Sequence, residues 1–183
     1  MMSLVETIAN LDKSLDLHAA RLLILINAFT NTGGESTVQG LTKLAKLDFL
    51  LRYPVMLERA LIVKGRSTRD VGLEDYERQN VESEMVRYRF GPWDHKYRTL
   101  LNYLVAKGLV TINVEGRTVV IALTDAGSDC AHALTADDSF EQYTRRSKIL
   151  KTHFDLTATN LMKFIYDTFP EIISLRSGAS IPT

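Results

Sequence analysis

The histidines and the single cysteine are the residues of this chain best suited to metal chemistry, but their spacing does not favour a site. Cys130 and His132 are two residues apart, and on a helix side chains at that separation point in different directions. The other histidines, His18, His95 and His153, are scattered, whereas a zinc site needs closely spaced ligands. The sequence predicts a buried thiol and a solvated imidazole, with no bound metal.

Patterns for other catalytic chemistry are also missing from the sequence. It contains neither a glycine-rich phosphate-binding loop with its lysine nor a Gly-x-Ser-x-Gly elbow, and Gly33-Gly34 alone is typical of a loop. Glu82 and Glu84 are neighbouring carboxylates, but they lack the partnered base or metal motif that general acid–base catalysis needs. We therefore expect a protein that is not an enzyme and holds no cofactor.

Length and composition indicate a folded protein. The 183 residues suit one domain or one domain with a helical appendage, and 45% apolar with 24% charged residues is typical of globular chains. Cys130 has no second cysteine to pair with, and the N-terminus lacks the features of a secretory signal. No apolar run approaches the roughly 20 residues of a membrane helix. We expect a cytoplasmic protein.

Charge is balanced overall but unevenly distributed. Basic and acidic residues number 22 each. Residues 41–65 hold five basic and two acidic side chains, residues 84–117 six and three, and residues 141–163 five and two. Such a two-signed surface suits a partner with complementary patches. The alternative is ordinary solvation of helix faces.

The N-terminal half reads as helices. A helix capped by Asp16 and running to Thr30 is apolar on every side, so it should be central. A second helix begins at Leu41, and its basic polar face would carry Lys43 and Lys46. A third runs from residue 54 to residue 64, because proline suits the first turn of a helix. Residues 66–80 read as an exposed connection.

The C-terminal half reads as a helix, a hairpin and further helices. Residues 85–90 alternate as a half-buried strand, although continuation of a helix from Val81 is open, and Gly91-Pro92 should break the chain. A helix capped by Asp94 ends at Gly108. Two extended runs joined at Glu115-Gly116 follow, and Thr124 caps the next helix. Helices over residues 138–152 and before residue 169 precede a frayed tail at residues 177–180.

The predicted fold is mostly α with a small β-hairpin. Residues 94–127 resemble the second half of many winged-helix domains, including the multiple-antibiotic-resistance and phenolic-acid regulator types. The resemblance implies a winged-helix-like core over residues 1–134, N-terminal helices included, and a C-terminal helical extension over residues 135–183 packed on it. A helix and hairpin packed for stability alone is the alternative.

The winged-helix resemblance implies where nucleic acid would bind. In nucleic-acid-binding members, the helix before the wing enters the major groove and basic residues contact phosphates. The candidates here are Lys96, Arg98, Asn102 and Arg117. They are sparse, and Glu115 in the wing turn would repel phosphate. A winged helix used for protein association is therefore at least as plausible.

A second resemblance rests on four sequence segments, which are residues 40–54, 81–83, 86–94 and 169–172. In them the chain resembles the middle component, type 2, of the bacterial ABC-three-component systems, related to the Lamassu defence accessory subunit. This implies a non-catalytic linker between an SMC-like ATPase of the chromosome-maintenance type and an effector nuclease, with DNA as a further candidate partner in the complex. The alternative is a stand-alone winged-helix DNA-binding transcription regulator.

The third segment supplies a candidate contact site. Arg87, Arg89, Trp93 and Asp94 would form a turn presented to a partner, where exposed tryptophan and arginine tend to dominate binding. Alternatively, Trp93 is an aromatic anchor of the core.

Overall fold

The computed structural model describes residues 14–30, 37–78, 85–88, 91–93 and 97–181. In this part of the chain the fold is mostly helical with a small antiparallel sheet, as predicted from the sequence. The described α-helices are α1 Leu15–Thr30, α2 Leu41–Arg52, α3 Pro54–Val63, α4 Tyr97–Ala106, α5 Asp125–Ala136, α6 Glu141–Phe154, α7 Ala158–Thr168 and α8 Pro170–Ser174. Short 3-10 turns occupy Arg69–Val71, Asp75–Arg78 and Asp138–Phe140.

The described strands form two antiparallel ladders. Strands β1 (Val38–Gln39), β4 (Val110–Glu115) and β5 (Thr118–Leu123) make a sheet in the order β1-β5-β4. Strands β2 (Val86–Tyr88) and β3 (Gly91–Trp93) pair separately. Strand β1 joins the sheet from far away in sequence, with Val38 opposite Ile121. This pairing ties the segment between α1 and α2 to the hairpin.

Helix α1 is central, as its sequence predicts. Its run from Leu22 to Ile26 is buried on every side, because α2, α4, α5, α6 and strand β5 all pack around it. The helix begins at Leu15, and the hydroxyl of Ser14 accepts a bond from the Leu17 amide at 3.4 Å. Asp16 is therefore not the cap; its carboxylate accepts a hydrogen bond from the Tyr103 hydroxyl on α4.

Thr124 caps α5, as predicted. Its side chain accepts a hydrogen bond from the Gly127 amide at 2.9 Å and donates one to the Gly108 carbonyl at 2.6 Å. Gly127 is required by a close approach: a Cβ there would lie 1.9 Å from the Leu109 carbonyl oxygen. The start of α5 is thus locked against the start of the hairpin.

The segment around residue 90 differs from the prediction. Strand β2 confirms the extended reading of residues 86–88, but Gly91-Pro92 does not simply break the chain. It belongs to β3, which pairs back on β2 with Arg87 opposite Pro92 and Val86 opposite Trp93. Proline is compatible with this position because the ladder has only two strands, so an edge lacks a further partner.

Residues 66–78 are largely exposed, as predicted, but the segment is anchored to α6. Arg146 on α6 is 2% exposed, and its guanidinium donates to the carbonyls of Val71 and Gly72 at 3.0 and 3.1 Å and to the carboxylate of Glu77. Val71 itself is fully buried. The sequence could not reveal this anchor, because it gave no means of placing a distant arginine beneath the segment.

The tail is also held rather than frayed. Ile181 is 1% exposed. Its carbonyl accepts a bond from the Tyr53 hydroxyl at 3.2 Å, and its amide donates to the Met85 carbonyl at 2.9 Å. The Met85 amide in turn donates to the Tyr53 hydroxyl at 2.8 Å. One buried phenol therefore joins α2–α3, the start of β2 and the C-terminal segment.

Helices α6 to α8 share one hydrophobic core with the N-terminal helices. Buried side chains of both regions belong to the same cluster, including Leu150, Phe154, Leu161, Ile165, Phe169 and Ile172 from the C-terminal part. The division into residues 1–134 and 135–183 stays a prediction. Among the described helices, none combines the length and the apolar composition that a bilayer-spanning segment requires.

Candidate nucleic-acid and partner interface

Helix α4 has one face in the core and one face in solvent. Its buried face carries Tyr97, Leu100, Leu101 and Leu104. These positions recur at helical spacing, so the intervening residues must point outward. The helix that precedes the hairpin is thereby fixed with a free side.

The exposed face of α4 holds two of the predicted DNA-binding residues. Arg98 and Asn102 are both exposed. Val105, which is 42% exposed, continues the same stripe one turn later. The face therefore offers a single cation, an amide and an apolar side chain within the described helix.

The hairpin β4–β5 supplies the second exposed element. Gly116 has a φ of +61°, which suits the tight turn between the strands. Glu115 and Arg117 flank this glycine and are both exposed. Val114 is 70% exposed at the end of β4. The tip thus pairs one acid with one base and adds a second exposed valine.

Arg117 faces a cleft between the hairpin and the starts of α2 and α7. The cleft has a volume of about 640 Å³, and Lys43, Asp155 and Thr157 line it together with Arg117. Lys43 is not available to a ligand as a lone cation, because its ammonium lies 2.7 Å from the Asp155 carboxylate. Lys151 binds the other carboxylate oxygen of Asp155 at 2.6 Å.

The remaining predicted site residues are only partly placed. Lys96, Arg89 and Asp94 lie outside the described residues. Arg87 and Trp93 lie on the β2–β3 ladder, and β3 packs against α2, α7 and α8. Their role in partner binding stays a prediction.

The predicted basic face of α2 is wrong. Lys46 is 2% exposed and Lys43 is 8% exposed. The Lys46 ammonium donates to the Thr42 carbonyl at 3.2 Å, and burial lowers its pKa to about 8. Helix α2 is covered on both sides, by α3 and β3 and by α7, so its lysines could not remain a solvated stripe.

Other bases of the positively charged segments are also used inside the fold. Arg52 lies 2.8 Å from Asp48, and Arg146 lies 2.7 Å from Glu77. Arg59 forms an ion pair with Glu171, and the Lys64 ammonium donates to the His153 carbonyl at 2.6 Å. The five bases of residues 41–65 are therefore all engaged by other groups of the fold, whereas Lys148 and Lys163 of residues 141–163 are exposed.

A buried charge cluster around Asp48 is the most polar feature of the core. The Asp48 carboxylate accepts from Arg21 at 3.0 Å, from Arg52 at 2.8 Å and from the Tyr97 hydroxyl at 2.5 Å. The side chains of the two arginines and the aspartate are fully buried. A guanidinium nitrogen of Arg21 also lies 3.1 Å from the Nδ1 of His18. The cluster joins α1, α2 and the start of α4.

The electrostatics of this cluster follow from burial and the two guanidinium groups. Burial alone would raise the pKa of Asp48, but Arg21 and Arg52 outweigh it and lower that pKa to about 2. Burial and the adjacent carboxylate raise the pKa of Tyr97 well above its usual value. Asp48 is thus ionised and Tyr97 protonated at neutral pH, which is an arrangement suited to fixing helices.

Sequence reasoning missed the Asp48 cluster, although a signal was present. Asp48 stands among Leu44, Leu47 and Leu51, so a solvent-facing position was improbable. Arg21 likewise precedes the apolar run of the central helix. A buried acid and a buried base on two apolar helices could have been paired, because buried charges need partners.

Of the residues considered for metal chemistry, Cys130, His132, His18 and His153 are described, and His95 lies outside the described residues. Within the described ranges, no group of three or more histidine, cysteine, aspartate or glutamate side chains could hold a metal ion. Cys130 is half-buried rather than fully buried, and His132 is exposed.

Comparisons of the chain with protein-family models, with curated proteins and with solved structures found no match.

Proposed function

We propose that this chain is a non-catalytic linker subunit of an anti-phage or anti-plasmid defence complex. In this proposal it bridges an SMC-like ATPase and an effector nuclease. The four sequence segments that resemble the middle component of ABC-three-component systems motivate it. The observation that carries the binding role is the exposed face of α4 together with the hairpin tip, where two exposed valines accompany only two bases and one acid among the described residues.

The arrangement of elements supports a winged-helix-like scaffold for this role. Helix α1, strand β1, helix α2, helix α4 and strands β4 and β5 follow one another, with an insertion between α2 and α4. Strand β1 pairs with β5, the second strand of the hairpin, rather than with β4. A winged helix places its first short strand in the same way. The winged-helix assignment is part of the proposal.

Protein is a better partner than DNA for the exposed face of α4 and the hairpin tip. Val105 and Val114 present apolar surface that a phosphate backbone would not use. The described cations there are Arg98 and Arg117, and Glu115 offsets one of them. DNA affinity depends mainly on the number of phosphates that lysine and arginine neutralise. A few contacts would give only weak binding.

Co-expression with the proteins encoded by the neighbouring genes tests the proposal. We expect the chain to co-elute with both an SMC-like ATPase and an effector during size-exclusion chromatography. Val105→Glu and Val114→Glu should abolish co-elution and leave cooperative melting unchanged, because both side chains are already exposed. Ile62→Glu on α3 is the matched control, since Ile62 is 66% exposed but lies away from α4 and the hairpin.

Two outcomes would contradict the proposal, the first by removing the linker role and the second by removing its location at α4 and the hairpin. One is that the chain elutes alone while both neighbours are present and folded. The other is that Ile62→Glu weakens co-elution as much as the two valine variants, because the effect would then not be located at α4 and the hairpin.

The second candidate is the stand-alone transcription regulator, and Arg98 and Asn102 favour it. Both are exposed on the helix that would enter the major groove. Regulators of this kind are usually symmetric dimers that read two half-sites. A stable homodimer bound tightly to one palindromic sequence at physiological salt would replace the linker proposal.

A further inference from the structure

A groove lies between α1, α5 and α6, and its described lining shares no residue with α4 or the hairpin. Its volume is about 560 Å³, which is within the usual range for small-molecule sites. Ile24 and Ala28 of α1 line it, and α6 contributes Thr144, Ser147 and Lys148. The α6 residues are three and four positions apart, so they form one stripe along that helix.

Two hydroxyls of this groove lack hydrogen-bond partners. The Oγ1 of Thr144 and the Oγ of Ser147 are buried, and neither has a partner among the described residues. Ser147 is 0% exposed and Thr144 is 9% exposed. An unsatisfied buried hydroxyl costs about 1–3 kcal/mol. Two such hydroxyls in one groove therefore favour a ligand that supplies the missing hydrogen-bond acceptors.

The charges around the groove specify the ligand. Lys148 is exposed and makes no ion pair with any described side chain, while Lys151, at the same lining, is bound to Asp155. No carboxylate lines the groove itself. Asp137, Asp138 and Glu141 line an adjoining depression that shares Thr144 and Lys148, but not Ser147, with the groove. A negative group is therefore favoured on the Ser147 side of the groove.

The walls of the groove indicate the chemistry of the rest of the ligand. Its described lining contains the aliphatic side chains of Ile24 and Ala28, and the imidazole of His132 is the one ring among the described lining residues. An extended aliphatic chain can follow such a wall, since its burial needs apolar area but no ring-stacking geometry.

We propose that this groove binds a medium-chain aliphatic monocarboxylate. The carboxylate accepts hydrogen bonds from the hydroxyls of Ser147 and Thr144 after rotation about their χ1 angles, and the Lys148 ammonium pairs with it at the rim. The aliphatic chain lies along Ile24 and Ala28. The ligand thus supplies the acceptors that the fold itself withholds from the two hydroxyls.

Calorimetric titration of the full chain with octanoate tests the proposal, with octylamine and 1-octanol as comparisons that match its chain length and differ in charge. We expect octanoate to bind with a Kd on the order of 0.1–1 mM, since a ligand of this size gains little per atom. The other two should bind at least about tenfold more weakly. The methyl NMR signals of Ile24 should shift when octanoate is added, but not when octylamine or 1-octanol is added.

Single substitutions locate the site and separate it from folding. Ser147→Ala should weaken octanoate binding about tenfold, because a hydrogen bond to a charged acceptor is lost. The same variant should melt no lower than the parent, because its hydroxyl has no partner to lose. Lys148→Gln should weaken binding about threefold. Ser174→Ala, whose hydroxyl bonds the Glu171 carbonyl outside the groove, is the matched control and should bind like the parent.

Three results would overturn the ligand class or the site. No octanoate binding at about 5 mM would remove the site altogether. Equal binding of octylamine or 1-octanol would contradict a carboxylate ligand. Unchanged octanoate affinity of Ser147→Ala, or a lower melting temperature of that variant, would contradict the role given to the unpartnered hydroxyls.

Discussion

Arg146 and Glu77 form a two-point ion pair across 69 positions of sequence, with both terminal guanidinium nitrogens 2.7 Å from the carboxylate oxygens. Arg146 lies on α6, and Glu77 lies in the segment that follows α3. Such paired contacts are directional as well as strong. The pair therefore holds residues 69–78 on the surface of α6.

Glu77→Gln should loosen this segment without unfolding the protein. The substitution removes the partner charge of a buried arginine, and we expect a loss of about 1–2 kcal/mol in the free energy of unfolding. Hydrogen exchange of residues 69–78 should accelerate while that of α1 does not. Glu74→Gln, at an exposed position nearby, is the control. Equal exchange in both variants would show that the ion pair does not hold the segment.

Asp48→Asn should be far more damaging. It leaves Arg21 and Arg52 buried without their shared carboxylate, and removal of one partner from a buried ion cluster costs about 3–5 kcal/mol. Tyr97→Phe, which removes only one donor to Asp48, should cost about 1–2 kcal/mol. Urea denaturation of both variants measures the difference. A loss below that of Tyr97→Phe would contradict the central role of Asp48.

The pH dependence of the Asp48 cluster follows from its low pKa. Because the folded-state pKa of about 2 lies below the ordinary value of 3.8, the stabilisation is complete above pH 3.8 and is lost as pH falls through 2. The stability of Asp48→Asn, measured by urea denaturation, should therefore fall less than that of the parent as the pH falls from 3.8 to 2.

Lys46 predicts the opposite pH effect. Its pKa falls from 10.5 to about 8 on folding, so the folded state prefers the neutral amine. Between about pH 8 and pH 10 the unfolded chain binds the extra proton, and stability should therefore rise with pH. Lys46→Met should be more stable than the parent at pH 7 by about 1–2 kcal/mol, with the advantage shrinking toward pH 9.5. Urea midpoints at several pH values measure this.

A pH-independent difference between Lys46→Met and the parent would contradict the lowered pKa of the buried amine. Lys163→Met is the control, because Lys163 is exposed on α7, and it should not reproduce the change seen with Lys46→Met.

The helices and turns that depend on neighbouring residues were predicted well from the sequence. The contacts between residues far apart in the sequence were not predicted. The all-apolar run of α1, the Thr124 cap and the turn at Gly116 each depend on neighbouring residues, and each is present. The burial of Lys46 depends instead on α2 being covered from two directions, which no helical periodicity reveals. The exposed face of α4 was predictable from leucine spacing, whereas the Ser147 groove requires three helices to meet.

DNA binding by the isolated protein should be weak, independent of sequence and strongly reduced by salt. Arg98 and Arg117 are the described exposed bases of α4 and the hairpin, and two phosphate contacts predict only about a tenfold loss of affinity between about 50 mM and about 200 mM salt. Electrophoretic mobility shifts seen at low salt should therefore disappear near physiological salt. Arg98→Ala and Arg117→Ala should each reduce the slope of log affinity against log salt by about one. Arg176→Ala, at an exposed position in the C-terminal segment, should leave the slope unchanged. Tight binding to one sequence at physiological salt, lost in Asn102→Ala, would instead favour direct base reading by α4 and thus the regulator.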